Sequence, residues 1–154
     1  MKRITKIVVH TMLDTDCPPD YLGAFSDTKG EYAIEHKSSE PGACKYFNAE
    51  NVENMEQAKE NYARYMGYIN QQWYMTGVQA KAHIQTSQDG TTWFAGVTAS
   101  SSGIWGIESD ALDAGEYPKE AQAEQQDELL QVLKELGFTD TEISAAPVEY
   151  EGQF

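Results

Sequence analysis

The sequence predicts an α+β protein: an antiparallel β-sheet, a meander of about four to six strands, with two amphipathic helices packed on one face. Three observations predict it. The stretch "VQAKAHIQT" alternates, with Val78, Ala80, Ala82 and Ile84 on one face and Gln79, Lys81, His83 and Gln85 on the other; that is the period of a half-buried strand. The pair Asp89-Gly90 follows it, a strong hairpin signal. Two segments, from about Asn54 to Gln72 and from about Pro118 to Leu136, repeat apolar residues at helical spacing.

Taken in order, "ITKIVVHTM" (Ile4 to Met12) is rich in β-branched residues and reads as a first strand. Its one-sided apolar pattern needs a sheet to cover, so it is expected to join the meander. "LDTDCPPDYLGAFSDTKG" is a loop by its Pro18-Pro19 pair and its Asp and Gly residues. "EYAIEHK" and "CKYFNAEN" are candidate short strands, separated by the turn "SSEPGA". In the first helix Asn54 is the N-cap and Gln57 completes a variant of the capping box. Met55, Ala58, Tyr62, Met66, Ile69 and Trp73 fall within roughly 80° of one another on a helical wheel, with Tyr65 extending the stripe. Gly77 lies beyond its end.

After the hairpin turn, "TTWFAGVTAS" is the return strand, "SSG" turns again, and "IWGIES" makes a third strand. Short turns between successive strands imply antiparallel pairing. In the last helix Pro118 suits the first position. Gly137 suits the position after the C-cap, with Phe138 folding back as the apolar partner of a Schellman motif. Leu129, Val132, Leu133 and Leu136 form its apolar stripe. Residues 139–154 are polar and Pro-interrupted, a peripheral tail with room for one edge strand. At 154 residues and 40% hydrophobic content the chain fits a single domain, 1–154, with a core that needs neither disulfide nor metal.

Charge narrows the function. The net charge is −14, and it is uneven: from Trp105 onward thirteen acidic residues face two lysines, whereas residues 1–104 carry twelve against nine Lys and Arg. Such a surface repels a phosphate backbone and an anionic membrane, so neither direct nucleic-acid binding nor membrane binding is expected. "MKRITKIVVHTM" is no signal peptide, because its apolar run is short and meets "DTD". With no apolar stretch of about 20 residues, and only Cys17 and Cys44, a cytoplasmic setting is the simplest expectation.

Motifs that carry chemistry are missing. His10, His36 and His83 have no metal-like spacing, and neither cysteine has a neighbouring histidine or a C-x-x-C partner. "DTDCPPD" begins like a calcium loop with Asp14, Asp16 and Asp20, but Pro19 stands where the turn needs Gly and Phe25 where the bidentate Glu belongs. No catalytic residue, no metal and no cofactor is therefore expected. An enzyme would require groups distant in sequence to converge, for example Trp93, Trp105, His83 and a carboxylate in one pocket.

The acidic segment remains. Glu108, Asp110, Asp113 and Glu116 occupy the approach to the last helix, and Glu120, Glu124, Asp127, Glu128 and Glu135 continue along it, opposite its apolar stripe. The helix dipole favours Glu120 but disfavours Glu135. Carboxylates four residues apart rise about 6 Å along a helix, and such a row can stand in for a run of phosphates at a basic groove. These nine acids, with Tyr117 as an apolar anchor, are the candidate partner-binding residues.

"SSGIWGIESD", followed by an acidic helix ending "ELLQVLKELGF" and preceded by "GYINQQWYMTGVQAKAHI", resembles small acidic proteins encoded by phages, plasmids and other mobile elements, over roughly residues 60–138. The resemblance implies a genomic setting in which such proteins often inhibit host defence nucleases, as anti-restriction and anti-CRISPR proteins that imitate DNA. Taken with the acidic row, that setting leads to the expectation of a non-enzymatic inhibitor that blocks the nucleic-acid-binding groove of a host defence complex, of the CRISPR or restriction kind. The alternatives are an accessory mobile-element protein whose acid serves solubility only, and a small enzyme or ligand-binding domain.

Overall fold

The structure, a computed structural model, describes residues 1–110 and 117–152, without the side chains of 117 and 118. It has the expected α+β class. In chain order the elements are β1 (Lys2–Leu13), β2 (Gly23–Ser26), β3 (Ala33–Glu35), β4 (Tyr46–Ala49), α1 (Met55–Ile69), β5 (Met75–Thr86), β6 (Phe94–Ser100), β7 (Ile104–Glu108), α2 (Tyr117–Glu135), α3 (Asp140–Ala145) and β8 (Val148–Gly152). The chain packs as two compact units: Met1–Thr15 together with Met75–Phe154, and Asp16–Tyr74. Each unit has its own sheet and its own long helix, so α1 and α2 do not share the one sheet that the sequence pattern suggests.

In the first unit the sheet order is β6-β5-β1-β8, with β7 also on β5. β1 pairs antiparallel with β5 from Lys2↔Thr86 to Leu13↔Thr76, so the first strand joins the sheet as its pattern requires. The alternation of β5 sends Val78, Ala80, Ala82 and Ile84 into the core with Ile7 and Val9 of β1. Leu129, Leu133 and Ala121 of α2 close that core. Small residues at 80, 82, 99 and 121 let the helix lie close to the sheet. Leu136, placed on the apolar stripe by its spacing, is exposed; the helix has already reached its C-terminal cap there. Gly137, with φ of 95°, takes the left-handed conformation and Phe138 N donates to Leu133 O at 3.1 Å. This is the expected Schellman motif, and Phe138 is buried.

β6 and β7 are not successive strands of a meander. β6 pairs with Lys81–Thr86 and β7 with Met75–Val78. They lie end to end along one side of β5, because "SSG" is a break in a single long strand and no turn. Ser101 holds the break to β5: its N donates to Ala80 O at 2.9 Å and its Oγ accepts from Ala80 N at 2.9 Å. The segment after 138 supplies more than a tail. α3 opens with a capping box from Thr139 and Glu142, Ile143 and Ala146 enter the core, and β8 lies parallel to β1 as an edge strand.

In the second unit a three-stranded sheet, β2-β4-β3, packs against α1. Phe47 of β4 is 0% exposed, with Phe25, Tyr65 and Tyr62 rings at 5.2, 5.4 and 5.5 Å. Asn54 caps α1 by accepting from Gln57 N at 2.9 Å; Gln57 Oε1 answers Glu53 N, one residue before the cap. The buried face of α1 centres on Ala58 and Gly67, while Met55 and Ile69 are exposed. The apolar stripe assumes a helix running to about 72, but α1 ends at Ile69. Trp73 folds back instead, its Nε1 donating to Arg64 O at 2.8 Å.

Gln71 follows the helix in the left-handed region, φ 59°, with Gln72 N bonded to Gly67 O at 2.8 Å. A residue with a Cβ costs roughly 1–2 kcal/mol in this conformation. Replacing Gln71 with Gly is therefore expected to raise stability by about 0.5–1 kcal/mol, after the extra freedom of the unfolded chain is subtracted. Urea denaturation checks it, and unchanged or lowered stability would refute the strain.

Candidate functional site

α2 divides its carboxylates into two sets. Glu120, Glu124, Asp127 and Glu135 are exposed and form no ion pair or hydrogen bond among the described residues. On the helix they fall within about 80° of one another, at rises of about 4–6 Å over the first two turns. Of the two lysines in this region, Lys134 turns to Asp140 at 3.1 Å.

Glu128 belongs to the other set. It accepts from Ser102 N at 2.8 Å and from Ser102 Oγ at 3.0 Å. Those bonds, led by the backbone amide, hold its carboxyl below the ordinary value. One turn earlier Gln125 is 2% exposed, and its Oε1 accepts from Gly103 N at 2.8 Å. Its Nε2 reaches Glu128 Oε2 at 3.4 Å. Gly103 adopts φ of 92° beneath the Trp105 ring, where a Cβ has no space. α2 thus fastens the break between β6 and β7 with two neighbouring side chains. The helical period groups Glu128 with the acidic row and does not mark Gln125. The only signal in the sequence is a Gln on the inward face of a helix, a face that Gln122 shares on the wheel.

Glu108 ends β7 half-buried and Asp110 follows it exposed; both engage other groups. Asp113 and Glu116 lie outside the described residues, as does the side chain of Tyr117.

The groups named for a pocket do not gather in one described cavity. Trp93 stacks with the Arg3 guanidinium at 4.1 Å. Trp105 lies over Gly77 and Gly103, its Nε1 donating to Ser102 O at 3.2 Å. On β1, burial lowers the pKa of His10 although Glu151 opposes the shift, and Glu151 Oε2 stands 3.2 Å from its Nδ1. A cavity of about 330 Å³ belongs to the second unit and is lined by Phe25, His36, Cys44 and Met66 among others. It brings together a histidine and a cysteine eight positions apart in sequence, but His36 Nδ1 is already 2.9 Å from Tyr62 Oη. Among the described residues no group of three or more His, Cys, Asp and Glu is placed to hold a metal ion, and no helix is long and apolar enough to cross a membrane.

No protein-family model, curated protein or solved structure matches the chain.

Proposed function

We propose that the protein is a non-enzymatic binding protein that docks α2 on the basic, nucleic-acid-binding groove of a partner. The resemblance to mobile-element proteins makes a host defence nuclease the partner class: the chain would occupy the groove of a restriction or CRISPR complex in place of DNA. The observation that carries this reading is the row of exposed carboxylates at Glu120, Glu124, Asp127 and Glu135, unpaired among the described residues. Solubility alone does not require acids in register on one rigid face, whereas a groove that follows phosphates rewards it.

The test neutralises Glu120, Glu124 and Asp127 together as Glu120→Gln, Glu124→Gln and Asp127→Asn, and leaves Glu128 untouched because it holds Ser102. The wild-type protein is expected to recover a nucleic-acid-binding protein from a host lysate at low salt, displaced by duplex DNA. The triple variant is expected to associate at least about tenfold more slowly at low salt. The difference should shrink near 0.5 M salt, where the screening length falls to about 4 Å. Equal association rates for the two proteins at low salt would end the mimic reading and leave the acid a solubilising role.

A further inference from the structure

We propose that Trp105 is a docking platform for an arginine of the basic partner, whose guanidinium stacks on the open face of the indole. The inference rests on the docking reading of α2 and names a side chain that the same surface takes hold of.

Trp105 is 45% exposed, yet its ring is held in place. The benzene end rests on Gly77 and the pyrrole end on Gly103, and a Cβ on either glycine would collide with it. Its Nε1 donates to Ser102 O at 3.2 Å. A glycine inside a strand, as Gly77 is in β5, weakens the strand and marks a close approach. Here it admits a ring that stays open to solvent.

Ser102 joins this platform to α2. Its N donates to Glu128 Oε1 at 2.8 Å, so the indole stands at the margin of the acidic row, with exposed Glu124 one turn before Glu128. Asp14 Oδ2 accepts from the N of Gly106, the next residue of β7, at 3.0 Å. An exposed indole among carboxylates attracts a cation and repels a phosphate chain.

The chain itself points to arginine. It has three tryptophans, and its arginines are Arg3 and Arg64. The Arg3 guanidinium lies 4.1 Å from the Trp93 ring and the Arg64 guanidinium 3.8 Å from the Trp73 ring. Trp105 is the third tryptophan, and among the described residues no cation covers it. A planar guanidinium stacks on an indole and still presents its N–H groups to a carboxylate, whereas a lysine ammonium is a hydrated point charge. A groove that holds phosphates is rich in arginine for the same planar, bidentate geometry.

Titration calorimetry with penta-arginine and penta-lysine peptides, at about 0.05 M salt, tests the platform without the partner. Both peptides feel the acidic row. The wild type is expected to bind penta-arginine about threefold more tightly, and Trp105→Leu to bind the two equally. Leucine keeps Gly77 and Gly103 covered, and circular dichroism checks the fold. If Trp105→Leu unfolds, Trp105→Phe takes its place, with a reduced preference expected. On the partner recovered from the lysate, Trp105→Leu is expected to dissociate about tenfold faster at an unchanged association rate, the reverse of the triple carboxylate variant. Equal binding of the two peptides by the wild type overturns the platform. So does a preference that a folded Trp105 variant keeps in full, or a short oligothymidylate that binds at Trp105 in place of penta-arginine. A preference that Trp105→Leu abolishes, with no nucleic-acid-binding protein recovered from the lysate, upholds the platform and ends the docking reading instead.

Discussion

Replacing Phe47 with alanine is expected to remove about 3–5 kcal/mol from the stability of the Asp16–Tyr74 unit. Phe47 is fully buried at the centre of that unit. The edges of Phe25 and Tyr65 meet it, and Tyr62 lies across it. Truncation removes the transfer energy of a benzyl group and leaves a space that three rigid rings fill poorly. A unit of about 60 residues buries a small share of its surface and has little stability in reserve. Phe47→Leu keeps most of the volume and is expected to cost about 1–1.5 kcal/mol. Hydrogen exchange is the measurement: in Phe47→Ala the amides of β2, β4 and α1 should lose protection while those of β1 and β5 keep theirs. Equal loss in both sets would mean that the two units unfold as one.

Gln125→Leu is expected to destabilise the first unit by about 1–3 kcal/mol, although it replaces a polar residue in a core with an apolar one of similar size. The reason is the group left behind. Gly103 N loses its acceptor in a partly buried place, and an amide left unpaired there carries a desolvation cost of about 1–3 kcal/mol. Among the described residues the native structure has no such orphan on a buried side chain. Urea denaturation, with exchange of the Gly103 amide as the local readout, checks the expectation; an unchanged midpoint would show that water replaces Gln125 without cost. Glu128 adds a pH signature to the same fastening. Its folded pKa lies below the ordinary 4.5, so its contribution is present above that value and is lost as pH falls below it. Glu128→Gln should therefore differ from wild type at neutral pH and converge with it under acid. Neither substitution is expected to alter the association rate, which separates the fastening from the docking row.

The candidate site was half legible for a physical reason. A helical wheel places Glu120, Glu124, Asp127, Glu128 and Glu135 together, because the 3.6-residue period is a local property. It does not report that Ser102 arrives beside Glu128, since that meeting joins residues 26 positions apart. The acidic row is therefore one carboxylate shorter than its sequence, and the missing one has become part of the sheet's support. His36 and Cys44 reverse the case: unremarked as a sequence pair, they line one cavity once β3 and β4 are paired.

By itself the sequence determined what depends on neighbours along the chain: the N-cap of α1 at Asn54, the Schellman end of α2 at Gly137 and Phe138, the two faces of β5, the Asp89-Gly90 turn and the acidity of α2. Each is written in residues a few positions apart, where backbone conformation and side-chain period act directly. Only the tertiary structure decided which strand meets which. It laid β6 and β7 end to end on β5, set β8 parallel to β1, gave α1 a sheet of its own, and turned Glu128 from a surface candidate, and Gln125 from an unmarked residue, into ties. Those outcomes are choices among distant backbone partners that short sequence patterns leave equally satisfied, and packing across the sheet selects one of them.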